Sequence, residues 1–172
     1  MQIQNIVVLS IGSNQGNRLE NIIHGINEIH LEIDAVVAVS KLYETPSWGF
    51  ESASFYNAAV AICTLKSPQE LLKAIHVIEE KLGRIRTNAT GYQARPIDID
   101  IISFNNEYIE TPSLQIPHPQ MQNRLFVLLP MNDLKVDFVH PILGKNTSEL
   151  ISECPDTCDW NVISELELPK EK

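Results

Sequence analysis

Ile6-Val7-Val8-Leu9-Ser10-Ile11, closed by Gly12-Ser13-Asn14-Gln15-Gly16-Asn17, predicts a buried strand, a turn and the cap of a helix. Glu20, three residues after Asn17, completes a box-like helix start. Leu19, Ile22, Ile23, Ile26 and Ile29 then recur at helical spacing as one apolar stripe. Beyond this first strand-helix unit, residues 35–44 are β-branched and alternating, which predicts a second strand. Thr45-Pro46-Ser47-Trp48-Gly49-Phe50 breaks it into a loop, and residues 55–63 predict a third strand. Ser67-Pro68-Gln69-Glu70 combines a serine cap, a proline in the first turn and a glutamate at the third position. The helix it opens carries Leu71, Leu72, Ile75, Ile78 and Leu82 on one stripe and stops at Gly83. A polar segment, 84–96, leads to a fourth strand at 97–104, and Asn105-Asn106 predicts a hairpin turn into Glu107-Tyr108-Ile109. Helices are expected over 120–129 and 148–152.

The order β-α-β-β-α-β predicts an α+β fold, a ferredoxin-like sandwich with an antiparallel sheet and helices packed on one face. No linker or repeat divides the chain, so one domain is expected over 1–160, with 161–172 a loose acidic tail. The chain has 172 residues, 44% hydrophobic and 20% charged, which excludes disordered and fibrous classes. Its first five residues carry no basic charge, and the apolar run that follows is too short for a signal peptide or a membrane span. Cys63, Cys154 and Cys158 match neither a disulfide framework nor a zinc site, so a reducing, cytoplasmic compartment and no membrane partner are expected. A net charge of −9 argues against a general nucleic-acid surface. Yet four of the five arginines, Arg84, Arg86, Arg95 and Arg124, lie within 84–124, which points to a local anion site on an acidic body.

Ile97-Asp98-Ile99-Asp100-Ile101 carries the chemistry. In a strand the isoleucines share the core face, and the two aspartates point the other way, about 6.6 Å apart. Hydrated Mg can bridge such a span, and it completes its shell with water and substrate phosphates. The pair also suits a plain solvated strand face. Arginines beside paired aspartates suit polyphosphate, because the carboxylates hold the metal and guanidinium forks take the remaining charge. The chain has no Walker loop, no G-x-G-x-x-G and no protein-kinase signature.

Six blocks occur in order: Gly12-Ser13-Asn14; Tyr43-Glu44-Thr45-Pro46; Phe55-Tyr56-Asn57-Ala58-Ala59-Val60; Glu79 with Leu82-Gly83-Arg84; Arg95-Pro96-Ile97-Asp98-Ile99-Asp100-Ile101; and Pro117-His118 with Asn123-Arg124-Leu125-Phe126-Val127-Leu128. Across residues 6–150 the chain resembles the 6-hydroxymethyl-7,8-dihydropterin pyrophosphokinases of folate biosynthesis. The resemblance implies a single-chain enzyme that uses Mg2+ and ATP, the pterin hydroxymethyl oxygen attacking the β-phosphorus and AMP leaving. It implies Asp98 and Asp100 as Mg ligands and Arg84 and Arg95 as phosphate contacts, these four forming the catalytic set. Arg86, Ile101, His118 and Arg124 would line the nucleotide site, with Glu79 helping to fix it. The pterin would stack between Phe55 and Phe126, with Asn57 and the Thr45–Pro46 backbone reading its polar edge. Where much of the family carries Arg-Trp-Gly-Pro-Arg, this chain has Gly91-Tyr92-Gln93-Ala94-Arg95, so Tyr92 replaces the aromatic and the first arginine is missing. His76 stands where glutamine is common. Two other readings remain open: a non-catalytic pterin or nucleotide binder, and an RNA-binding ferredoxin-like domain, which the net charge opposes.

Overall fold

In the computed structural model, which describes residues 4–86 and 93–170, the first apolar run forms strand β1 (Asn5–Ser13). Asn17 caps helix α1 (Arg18–Glu32), its side chain accepting the Glu20 amide at 3.2 Å. The helix contains Gly25, where an added Cβ would sit 3.1 Å from Ile97 Cδ1, so the bare backbone lets α1 lie close to the sheet.

The single strand expected over 35–44 is two strands, β2 (Val36–Val39) and β3 (Leu42–Thr45). Both pair with β4 (Phe55–Thr64). At the break the Ser40 hydroxyl accepts the Ala59 amide at 2.8 Å, so a side chain stands in for a ladder bond. Helix α2 (Pro68–Lys81) starts with a reciprocal box: Ser67 Oγ accepts the Glu70 amide, and Glu70 Oε2 accepts the Ser67 amide at 2.8 Å.

Strand β5 (Asp98–Phe104) follows, but the hairpin expected at Asn105-Asn106 does not form on it. Asn105, with a φ of 49°, turns back onto β1, its side-chain oxygen accepting the Ile6 amide at 2.9 Å and its amide donating to the Ile6 carbonyl at 2.8 Å. Strand β6 (Ile109–Thr111) pairs instead with β7 (Leu114–Ile116) in a separate two-stranded sheet. The helix expected over 120–129 is interrupted: a 3-10 turn, Met121–Asn123, is followed by Arg124 in extended conformation and then by α3 (Leu125–Asp133). Helix α4 (Thr147–Glu153) matches its expected position.

With strand β8 (Asn161–Ser164) at its edge, the main sheet runs β5-β1-β4-β3-β8, all antiparallel, with β2 also on β4. Its order along the β-α-β-β-α-β path is that of the ferredoxin-like sandwich, and the fold is α+β. Two expectations need correction. Residues 161–164 are not loose: they form strand β8 (Asn161–Ser164), an edge paired with β3, and Leu166 packs against the core. Helices also cover both faces of the sheet. Val7, Leu9, Ile11, Ala58, Val60, Ile62, Ile99 and Ile101 pack on α1 and α2. The opposite side chains Val8, Ala59, Ala61 and Ile102 pack under α3 and α4 through Val127, Leu128, Met131 and Leu150. Each large apolar side chain fully buried in these layers is worth about 1.5–3 kcal/mol over exposure.

Candidate active site

Helices α3 and α4 cover only part of their face of the sheet. Along β1 that face runs Val8, Ser10, Gly12; along β4, Ala61, Ala59, Asn57, Phe55; along β5, Ile102, Asp100, Asp98. The first residue of each series is packed in the second core, and the last ones line an open cavity of about 920 Å³. Pairing sets the floor in register, with Gly12 opposite both Asp98 and Asn57, and Ser10 opposite Asp100. The alternation that sends Ile99 and Ile101 into the core thus delivers both aspartates to the cavity.

One end of the cavity is charged. Glu79, 1% exposed, projects from α2; its carboxylate accepts the Ile99 amide at 2.8 Å and the Arg86 guanidinium at 2.6 Å, and also pairs with Arg84. Burial pushes the Glu79 carboxyl up despite these partners. The Ile99 amide lies between the two aspartates, so Glu79 locks the backbone of that pair. Arg84 also reaches Asp98 Oδ1 at 2.6 Å, and Arg95 reaches Asp98 Oδ2 at 3.2 Å. Arg95 is held at its own backbone by Asn14, whose side-chain oxygen accepts the Arg95 amide at 2.8 Å. For Asp100, burial, then the neighbouring Asp98 and Glu79 carboxylates, outweigh the pull of Arg84 and Arg95 and push its carboxyl well up. Two carboxylates on one sheet face, both hard oxygen donors, fit a divalent cation such as Mg. Among the described residues no group of three or more metal-ligating side chains gathers, so water and phosphate oxygens would have to supply the remaining ligands.

His118 follows β7; its amide donates to the Ile102 carbonyl at 2.9 Å, and its Nδ1 accepts the Gln120 amide at 3.1 Å. The neutral ring therefore carries its proton on Nε2. Burial, with Arg124 adding to it, lowers the His118 pKa to about 4. His76 lies on the same wall, lowered by burial and by Arg86 and Arg84. Ile101 and residues 110–115 of the β6–β7 hairpin line the cavity as well.

The other end is aromatic. Phe55 at the start of β4 and Phe126 at the start of α3 both line it, with Thr45 and Pro46. Asn57, 3% exposed, donates from Nδ2 to the Thr45 hydroxyl at 2.9 Å, the partner that a buried amide needs. Two loop residues not singled out in the sequence join them. Trp48 carries the Arg124 guanidinium 4.4 Å from its ring centroid, and Phe50 meets Phe55 edge-on at 6.3 Å. Their only signal was two aromatics, on either side of Gly49, in the short loop that Pro46 opens. Every expected site residue among those described lines this one cavity; Tyr92 lies outside the described residues.

Among solved structures, the chain is similar to an HPPK-DHPS triple mutant from Plasmodium falciparum, with a TM-score of 0.69 over 87% of this chain and 44% of that one. At 19% identity that likeness speaks for the fold alone. A folic acid synthesis protein of Dictyostelium discoideum is 40% identical over 88% of this chain, which spans only 23% of that protein's length. A Porphyromonas gingivalis 2-amino-4-hydroxy-6-hydroxymethyldihydropteridine pyrophosphokinase is 39% identical over 79% of this chain and 94% of its own. One from Bacillus subtilis is 41% identical over 77% and 79%. The family profile described as 7,8-dihydro-6-hydroxymethylpterin-pyrophosphokinase (HPPK) matches residues 8–136, which hold the whole aspartate, arginine and aromatic set, and with these relatives it shows that the chain belongs to that family.

Proposed function

We propose that this chain transfers diphosphate from ATP to the hydroxymethyl group of 6-hydroxymethyl-7,8-dihydropterin and releases AMP. The observation that carries the reading is the composition of one sheet face. Asp98 and Asp100 stand beside Arg84, Arg86 and Arg95 at one end, and Phe55, Phe126 and the Asn57–Thr45 pair stand at the other, in a single cavity. A polyphosphate suits the first end and a flat heterocycle the second. Arg124, stacked on Trp48 between them, suits the junction of the two substrates.

Mg2+ would be held by Asp98 and Asp100, and when bound it would neutralise charge on the phosphate oxygens. The rest is positioning by this chain's own side chains. Arg84 and Arg95, now engaged with Asp98, are placed to take phosphate oxygens when the aspartate takes a cation. Glu79 keeps β5 and the arginines in place, and His118 offers its Nε2 proton to a nucleotide acceptor. Phe55 and Phe126 orient the pterin by stacking, and Asn57 reads its polar edge. Holding both substrates in line can lower the barrier substantially without a general base.

The same reading takes the enzyme as one domain acting alone in a cytoplasmic compartment, without nucleic acid. It is supported by the net charge of −9 and by the lack of any helix, among the described residues, long and apolar enough to cross a membrane. The test is product identity: AMP should form from ATP only when the hydroxymethyl pterin is present. Formation of ADP would overturn the pyrophosphoryl transfer, and ligand binding without AMP would mark a non-catalytic binder.

A further inference from the structure

Helix α3 brings two cavity residues, Arg124 and Phe126, on either side of its first residue, Leu125. Its start is weak by its own means: Arg124 at the N-cap position makes no side-chain capping bond. The Leu125 amide is instead taken by a carboxylate 31 positions away, Asp156 Oδ2, at 3.0 Å. Asp156 belongs to the loop 154–160 between α4 and β8, beyond residues 8–136 that match the family profile. The loop is folded around that carboxylate. Asp156 Oδ1 accepts the Cys158 amide at 3.0 Å, and the Cys158 thiol is pushed up to about 12 by burial and by its bond to the same carboxylate. Two residues on, Trp160 packs on Tyr43 with ring centroids 5.9 Å apart, which ties the loop to the sheet edge.

We propose that Asp156 is a positioning residue for the substrate site: it caps α3 from outside and so fixes the backbone that aims Arg124 and Phe126 into the cavity. A main-chain amide has one bond to give, and an ionised acceptor at a helix N-terminus also meets the favourable end of the helix dipole. Without it the first turn of α3 is free to fray. The two side chains that lose their aim are those flanking the amide. The Arg124 guanidinium lies 4.4 Å from the Trp48 ring centroid and 5.6 Å from that of Phe126, so a shift of the backbone between Arg124 and Phe126 alters both contacts.

The proposal rests on the reading that Phe126 stacks the pterin, and a double-mutant cycle separates the two. Pterin affinity is measured by calorimetry, well below the melting temperature, for the full chain and for Asp156→Ala, Phe126→Ala and the double variant. Asp156→Ala should weaken pterin binding about five-fold alone and hardly at all in the Phe126→Ala background, because the aim of a missing ring cannot matter. Asp156→Asn keeps the shape but offers one acceptor oxygen to the two amides of Leu125 and Cys158 and carries no charge, so it should recover only part of the affinity. A lower melting temperature with pterin affinity unchanged would make Asp156 structural only, and an equal loss in both backgrounds would also overturn the proposal. If Phe126→Ala alone left pterin affinity unchanged, the stacking reading would fail, and with it the route assigned to Asp156. Should Asp156→Ala not fold, Asp156→Ser, with an oxygen too short to span to Leu125, is carried through the same cycle and judged by the same outcomes.

Discussion

At the scale of single residues, the two aspartates differ more than their sequence spacing suggests. Asp98 is shared by Arg84 and Arg95, while Asp100 is pushed up by burial and by its acidic neighbours. Changing either to asparagine should lower AMP release by at least about 10²-fold, the scale on which one preorganised electrostatic contact acts. Stability should move in opposite directions. Asp98→Asn loses two ion pairs, so thermal or urea melts should show a fall of about 1–3 kcal/mol. A raised pKa means that the folded chain holds the Asp100 proton more firmly than the unfolded one. Ionisation therefore costs stability as pH rises through the shifted value. Asp100→Asn should melt above the parent at neutral and alkaline pH, and the gap should close as pH falls below 3.8, the ordinary value. A gap independent of pH would remove the account of a carboxyl raised by burial and by its acidic neighbours. His118 works the other way. Its pKa drops from 6.5 to about 4, so its share of stability is complete above the unfolded value and is lost as pH falls through that window. His118→Gln should flatten that limb of the melting profile, and an unchanged acid limb would count against a buried, neutral imidazole.

At the scale of elements, helix starts show what local sequence can do. Ser67 and Glu70 satisfy each other's amides without help from elsewhere, and neither lines the cavity. Ser67→Ala should therefore cost about 1 kcal/mol, seen as roughly 2–4 °C in the melting temperature, while AMP release at moderate temperature stays unchanged. Helix α3 is the contrast, since its capping partner comes from a distant loop. Phe126→Ala at its first turn should weaken the pterin by about 1–3 kcal/mol, the range for one stacked aromatic contact, and leave ATP affinity nearly unchanged. Calorimetric titration of each ligand decides this, and a matching loss for ATP would mean that the ring is only packing.

At the scale of the whole molecule, the C-terminal segment closes the sheet. Strand β8 covers the outer edge of β3, and Leu166 reaches the first core. Removing residues 161–172 would bare that edge and the packing beneath it. The melting temperature should fall by several degrees, as expected from about 2 kcal/mol in a chain of this size. An unchanged melt would return these residues to the status of a passive tail.

The sequence by itself determined the alternations and the local starts. The period-two pattern of Ile97 to Ile101 put both aspartates on one face, the stripes of α1 and α2 marked their buried sides, and Ser67-Pro68-Gln69-Glu70 marked a helix start. The resemblance of ordered blocks then supplied the cavity residues. Periodicity says which side chains share a face; it does not say what lies over that face. Only the tertiary structure decided that α3 and α4 cover the second face and stop short of Asp98 and Asp100. It also decided that Asn105 bonds back to β1 instead of turning a hairpin, that Ser40 splits a strand by replacing a ladder bond, and that Trp48 and Phe50 reach the cavity. The bond from Leu125 to Asp156 joins residues 31 positions apart, with no repeating pattern between them. Such contacts arise from the folding of the chain in space, and a local window of sequence contains only one of their two partners.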